Sequence, residues 1–101
     1  MAVAVIHPGE HLLAEGLEAR DMSAAELARK LGVPTNRVTQ ILNGTRSVTG
    51  DIAQRLAHFF GTTGQFWLNL QDLYDLRLAH KKTGKSGRAL PRLKRRELVH
   101  A

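Results

Sequence analysis

Ser23–Arg46 reads SAAELARKLGVPTNRVTQILNGTR, and its internal signals predict two short helices around a tight turn. Ser23-Ala24-Ala25-Glu26 fits a capping box, in which the hydroxyl and the carboxylate satisfy opposite orphan N–H groups at a helix start. Ala24, Leu27, Ala28 and Leu31 then recur at i, i+3, i+4 and i+7, the apolar stripe of an amphipathic helix. Gly32 stands where a left-handed residue ends such a helix, and Val33-Pro34 begins the turn. The next helix is predicted from Thr35 to Leu42, with Asn43-Gly44 as its stop. At about 100° per residue, Asn36, Thr39, Gln40 and Asn43 fall within about 50° of one direction. Val38, Ile41 and Leu42 fall roughly opposite, and Thr35 and Arg37 flank the polar face. That face is built of amides and hydroxyls, unlike the Lys/Glu mixture of an ordinary solvated helix.

Two helices joined in this way, the second with a polar outer face, match a helix-turn-helix. A helix in the DNA major groove needs uncrowded side chains that donate and accept at base edges. Asn and Gln pair with adenine, Arg pairs with guanine, and a Thr methyl packs on a thymine methyl. Thr35, Asn36, Arg37, Thr39 and Gln40 are therefore the expected base readers. Helix N-termini direct backbone N–H groups at phosphates. Ser23, Asn43, Thr45 and Arg46 are the expected phosphate contacts. The competing reading is a solvent-facing helix in a small bundle that binds no DNA.

Outward from this core the chain reads as all-α, with no sustained period-2 alternation. A first helix is predicted from Pro8, suited to the first helical position, to about Ala19. Leu12, Leu13 and Leu17 give it an apolar side, and Gly16 marks a close-packing site. A fourth helix takes Thr49 as N-cap, carries Asp51 in its first turn, buries Ile52, Leu56, Phe59 and Phe60, and stops at Gly61. A fifth takes Thr63 as N-cap and runs to about His80, carrying Phe66, Trp67, Leu70, Leu73 and Tyr74, with Leu68, Leu76 and Leu78 beside them. All five aromatic residues lie between Phe59 and Tyr74, and they admit three roles: core, dimer interface or partner-binding surface. Residues 1–80 form the expected DNA-binding and dimerisation domain, and residues 81–101 a basic C-terminal tail.

The charge is divided along the same line. The 101 residues carry 15 Lys and Arg against 9 Asp and Glu, a net +6. Residues 1–78 hold seven basic and eight acidic side chains. Residues 79–101 hold eight basic ones against Glu97 alone. The expected DNA reader is thus slightly acidic, and its case rests on the polar face and the helix termini. Gly84, Ser86, Gly87 and Pro91 disfavour a continuing helix, so the tail reads as a flexible arm, either solvated or in contact with phosphates or a partner.

Several motifs narrow the family. Ser23–Arg46 resembles the helix-turn-helix of XRE/Cro-type phage repressors, with a lambda-repressor-like five-helix fold. HPGEHL at His7–Leu12, ILNGTRSVTGDIAQRLA from Ile41, and GTTGQFWLNLQDLYDL at Gly61–Leu76 resemble the HigA/VapI addiction-module antitoxins. The resemblance spans residues 6 to 80. It implies a dimeric antitoxin that neutralises a RelE-like ribonuclease, here a HigB-like toxin, and represses its own operon on double-stranded operator DNA. By position, Thr35, Asn36, Thr39 and Gln40 match base-reading positions of that family, and Asn43 and Arg46 match phosphate contacts. Pro34 departs from the Ser or Thr common there, so no side-chain phosphate contact is expected from it. Phe66, Trp67 and Tyr74 are candidates for the dimer or toxin interface. The alternative is a stand-alone XRE-type regulator without a toxin.

Other classes find little support. With no cysteine, disulfides and thiolate-ligated zinc are excluded. No apolar run approaches the roughly 18 residues of a membrane span, and the N-terminus lacks a basic signal-peptide start, so a cytoplasmic protein without membrane contact is expected. His7 and His11 lack a third metal ligand, Ser23 and Ser47 lack a base, and neither enzyme activity nor a cofactor is expected. A single-strand RNA platform would need exposed aromatics at stacking positions, which the pattern does not offer. A small helical domain buries only about 60–65% of its unfolded surface, so a second copy would help it. Palindromic DNA needs two recognition helices about 34 Å apart.

Overall fold

The computed structural model describes residues 6–87 and 90–93. Among these residues five helical segments occur and no strand. The first, α1, runs through three hydrogen-bonding patterns: an α-helical turn at Pro8–His11, a π-helical stretch at Leu12–Leu17 and a 3-10 turn at Glu18–Arg20. Then follow α2 (Ala24–Leu31), α3 (Thr35–Leu42), α4 (Gly50–Phe60) and α5 (Gly64–Gly87).

The predicted start and stop signals operate at α2 with one difference. Ser23 Oγ accepts from the Glu26 N–H at 3.1 Å. The Glu26 carboxylate, however, accepts from the Ser23 hydroxyl at 3.4 Å and does not reach back to the chain, so half of the capping box forms. At the other end Gly32 adopts φ 72° and the Val33 N–H reaches Ala28 O at 3.0 Å, a Schellman closure. Gly61 closes α4 in the same way, with the Thr62 N–H on Ala57 O. Thr63 Oγ1 caps α5 by accepting from the Phe66 N–H at 3.1 Å. Thr49 precedes α4 without a side-chain cap.

Leu12, Leu17, Leu27, Leu31, Val38, Ile41, Val48, Ile52, Leu56 and Trp67 form one buried cluster drawn from every helix. Leu13, expected on the buried side of α1, is exposed. The reason is the π stretch. Its wider turn lets Leu12 and Leu17, five residues apart and about 140° apart in a regular α-helix, share the buried face, while Leu13 lies exposed. Gly16 permits this packing: a Cβ there would lie 2.9 Å from Leu12 Cδ1 and 3.1 Å from Phe60 Cζ.

The fifth helix departs from expectation in its length. It continues past His80 through Gly87, so the first part of the basic tail is helical. Thr83 Oγ1 bonds back to Ala79 O at 2.7 Å in this extension, and intrahelical bonding outweighs the small penalty of Gly84. Leu73 and Leu76 are also exposed, at 48% and 69%. Both lie off the face that Trp67 and Gln71 bury, and among the described residues they remain open. Residues 88–89 and 94–101, the rest of the expected arm, lie outside the described residues.

Candidate nucleic-acid interface

Helix α3 presents the polar face anticipated for a base reader. Val38 and Ile41 are buried, Thr35 and Asn36 are exposed, and Thr39 and Gln40 are half-buried. The amide side chains of Asn36 and Gln40 have no hydrogen-bond partner among the described residues, which leaves their donors and acceptors available. Thr39 Oγ1 donates to Asn36 O at 3.1 Å. That bond restricts χ1. The first turn of α3 carries no acidic residue, so no side chain of its own offsets its positive end.

The end of α3 is tied off by one carbonyl. Gln40 O accepts from the Thr45 N–H at 2.9 Å, the Thr45 hydroxyl at 3.1 Å and the Arg46 N–H at 3.2 Å. Gly44 follows the helix with φ 78°. Asn43 and Arg46 are exposed beside this closure, as phosphate contacts require. Thr45 and Ser23 are less suited. The Thr45 hydroxyl spends its proton on Gln40 O, and Ser23 both accepts and donates within its own cap, next to the Glu26 carboxylate.

Arg37, expected among the base readers, turns toward α4. Its Nη2 lies 3.2 Å from Asp51 Oδ2 and 3.5 Å from Thr49 Oγ1. Arg55 holds the same carboxylate through Nε, at 3.1 and 3.2 Å from the two oxygens. Its Nη1 donates to Leu31 O at the end of α2, at 2.8 Å. Hydrogen bonding to Arg55, with the charges of Arg55 and Arg37 adding, holds the Asp51 carboxyl below its usual range.

Three positioning residues escaped the sequence reading. Gln71 is 4% exposed. Its Oε1 accepts from the Val48 N–H at 2.8 Å and its Nε2 donates to Asp75 at 2.9 Å, which pins the loop after α3 to α5. Its signal was the four-residue spacing from Trp67 and to Asp75. Gly9 lies against the backbone of α3, since a Cβ would fall within 1.9 Å of Ile41 O. His7 serves as the N-cap of α1, Nδ1 accepting from the Gly9 N–H at 2.9 Å, and its ring meets Tyr74 edge-on at 4.8 Å. No group of three or more metal-ligating side chains occurs among the described residues.

Burial lowers the His7 pKa from its ordinary 6.5, against Asp75, Glu10 and the Arg46 backbone, which raise it. Protonated Nδ1 has no lone pair to offer Gly9. The unfolded chain therefore binds the proton first as pH falls. The stabilisation from neutral His7 is whole above 6.5 and disappears as pH drops through the lowered value. Unfolding titrations at pH 7.5 and 5.5 are expected to show that loss. His7→Asn, which keeps a capping acceptor without a titrating ring, should reduce the difference.

Of the three aromatic candidates, Trp67 is core, 3% exposed. Tyr74 is half-buried on His7, and Phe66 keeps 37% of its surface exposed. No described helix is long and apolar enough to cross a membrane.

The comparisons with known proteins agree with this geometry. The family model described as Helix-turn-helix matches residues 13–67. Virulence-associated protein I of Dichelobacter nodosus is 43% identical over 76 residues, which is 75% of this chain and 70% of that protein. An addiction module antidote protein of a HigA family from Coxiella burnetii superposes with TM-score 0.85 at 54% identity, covering 90% of this chain and all of that one. The Pseudomonas aeruginosa antitoxin HigA, solved with the higBA promoter, gives TM-score 0.85 at 40% identity over 90% of this chain and all of that one. This chain belongs to the HigA/VapI family of helix-turn-helix addiction-module antitoxins, a family of DNA-binding proteins rather than enzymes.

Proposed function

We propose that this protein is the antitoxin of a HigBA-type module, a homodimer that represses its own operon and neutralises a HigB-like, RelE-type ribonuclease. The observation that carries the DNA half is the α3 face. Thr35, Asn36, Thr39 and Gln40 lie together on it, with the amides of Asn36 and Gln40 unbonded among the described residues. Asn43 and Arg46 would touch phosphates beside it. The similarity to an antitoxin solved with promoter DNA supports the same reading. Repression would be steric, with two recognition helices one DNA turn apart occupying a promoter palindrome. The exposed leucines of α5 and the exposed edge of Phe66 are the proposed face for a second copy or for the toxin.

The test takes the DNA upstream of the gene and the protein encoded beside it. The wild-type chain should bind that DNA selectively and co-purify with the neighbouring protein, abolishing its ribonuclease activity. Asn36→Ala and Gln40→Ala are each expected to cost about 1–3 kcal/mol at the cognate site and to relax specificity there. Wild-type affinity in both variants would remove α3 as the reader. Selective DNA binding without toxin neutralisation would leave a stand-alone XRE-type regulator.

A further inference from the structure

We infer that Arg37 acts as a strut that sets the pose of the recognition helix and does not read bases; this rests on the DNA-reading role of α3 proposed above. The observation is a continuous chain of bonds across three helices. It runs from Leu31 O at the end of α2, through the Arg55 guanidinium, to the Asp51 carboxylate in the first turn of α4, and on to Arg37 in the first turn of α3.

Its parts are mutually dependent. Asp51 Oδ2 is shared by both arginines, at 3.2 Å from each. Arg37 places its cation at the N-terminal end of α4, where the helix dipole disfavours it, so the Asp51 carboxylate is what makes that position tolerable. Arg55 places its cation at the C-terminal end of α2, where the dipole favours it. The turn leaves little slack: a Cβ on Gly32 would stand 3.3 Å from Arg55 Nη1. The network thus spans the angle between α2 and α3 and the seat of both on α4.

Arg37 also occupies the wrong sector for a reader. It lies about 100° around α3 from Asn36 and about 60° beyond Gln40, on the side facing α4. Its side chain is 24% exposed against 53% for Asp51. Reaching a base would require it to leave the carboxylate and cross the helix. Major-groove contacts depend on where the helix lies as much as on which side chains it carries. A small rotation of α3 moves Asn36 and Gln40 together, so loss of the strut should act on specificity.

The test compares Arg37→Met, Asp51→Asn, the double variant and Asp51→Glu with the wild type. Each is titrated onto a duplex that the wild type selects from a random pool and onto a scrambled duplex, at one salt concentration. Circular dichroism and melting confirm the folded state. Charge changes alter affinity for both duplexes alike and cancel in the ratio of the two affinities. A strut predicts that each single variant lowers that ratio about tenfold and that the double variant lowers it no further, since both remove one unit. Asp51→Glu should lower the ratio as well, because it moves the carboxylate by one methylene at constant charge. Loss confined to Arg37→Met, additive losses, or an unchanged ratio in all variants would each overturn the strut. If the wild type selects no consensus, the DNA-reading proposal falls and the strut with it, an outcome distinct from the others.

Discussion

Gly9→Ala is expected to destabilise the domain by more than about 3 kcal/mol, the upper end of overpacking costs. The obstacle is backbone, which has no rotamer to yield. A Cβ at position 9 would lie within 1.9 Å of Ile41 O, 2.8 Å of Ile41 C and 3.0 Å of Leu42 Cα. The start of α1 and the last turn of α3 must therefore separate. His7, which caps α1 through the Gly9 N–H and packs on Tyr74, would lose its seat with them. Two other glycines calibrate the result. Gly16→Ala meets only the ends of the Leu12 and Phe60 side chains and should cost less. Gly50→Ala meets nothing within 4 Å at the start of α4 and should be neutral or stabilising by about 0.4–1 kcal/mol. Urea midpoints for the three variants check the order. A Gly9→Ala protein as stable as the wild type would show that α1 is not seated on the recognition helix. DNA binding should fail with stability, because the displaced element carries the face proposed to read DNA.

The sequence made the two central helices legible for a physical reason. Their boundaries are local: a Ser cap satisfying an N–H three residues on, and a glycine in the left-handed region. The polar and apolar faces of α3 follow from helical period alone, and the structure places Val38 and Ile41 inside and Asn36 outside accordingly. What stayed hidden depends on packing between distant segments. The π stretch of α1, which puts Leu12 and Leu17 on one buried face, is not anticipated by a four-residue stripe through Leu13. The continuation of α5 to Gly87 was obscured by Gly84 and Ser86, whose weak propensities are overridden inside a helix already nucleated. Arg37 fits a reader by its residue type and its first-turn position, and its ion pair with α4 is not legible there. Only the register of α4 against α3, invisible in a linear pattern, brings Asp51 beside it. Gln71 and His7 are the same kind of case, polar groups whose buried partners are a loop amide and a helix terminus.

Trp67→Ala should cost about 3–5 kcal/mol, the range for large aromatic truncations in a core. Trp67 is 3% exposed and lies among the rings of Phe60, Phe66 and His11, with centroids 5.2 to 5.9 Å away. Its indole N–H donates to Thr62 Oγ1 at 2.8 Å, across the turn that joins α4 to α5. The residue therefore combines a large buried apolar surface with a polar tie at the hinge between two helices. Trp67→Phe separates the two contributions. It retains most of the ring packing and loses the hydrogen bond, for about 0.5–1.5 kcal/mol, because Thr62 is exposed and water can take the place of the indole. Trp67→Ala should also loosen the loop after α3. Gln71 follows Trp67 by one helical turn and holds the Val48 amide, so a shift of α5 reaches the segment after the recognition helix directly. Hydrogen exchange at the Val48 amide is expected to accelerate in Trp67→Ala more than in Trp67→Phe, relative to amides inside α2. Equal exchange in the two variants would mean that the loop is held independently of the tryptophan. Gln71 would then be the residue that joins α5 to the reading face, with Trp67 confined to stability.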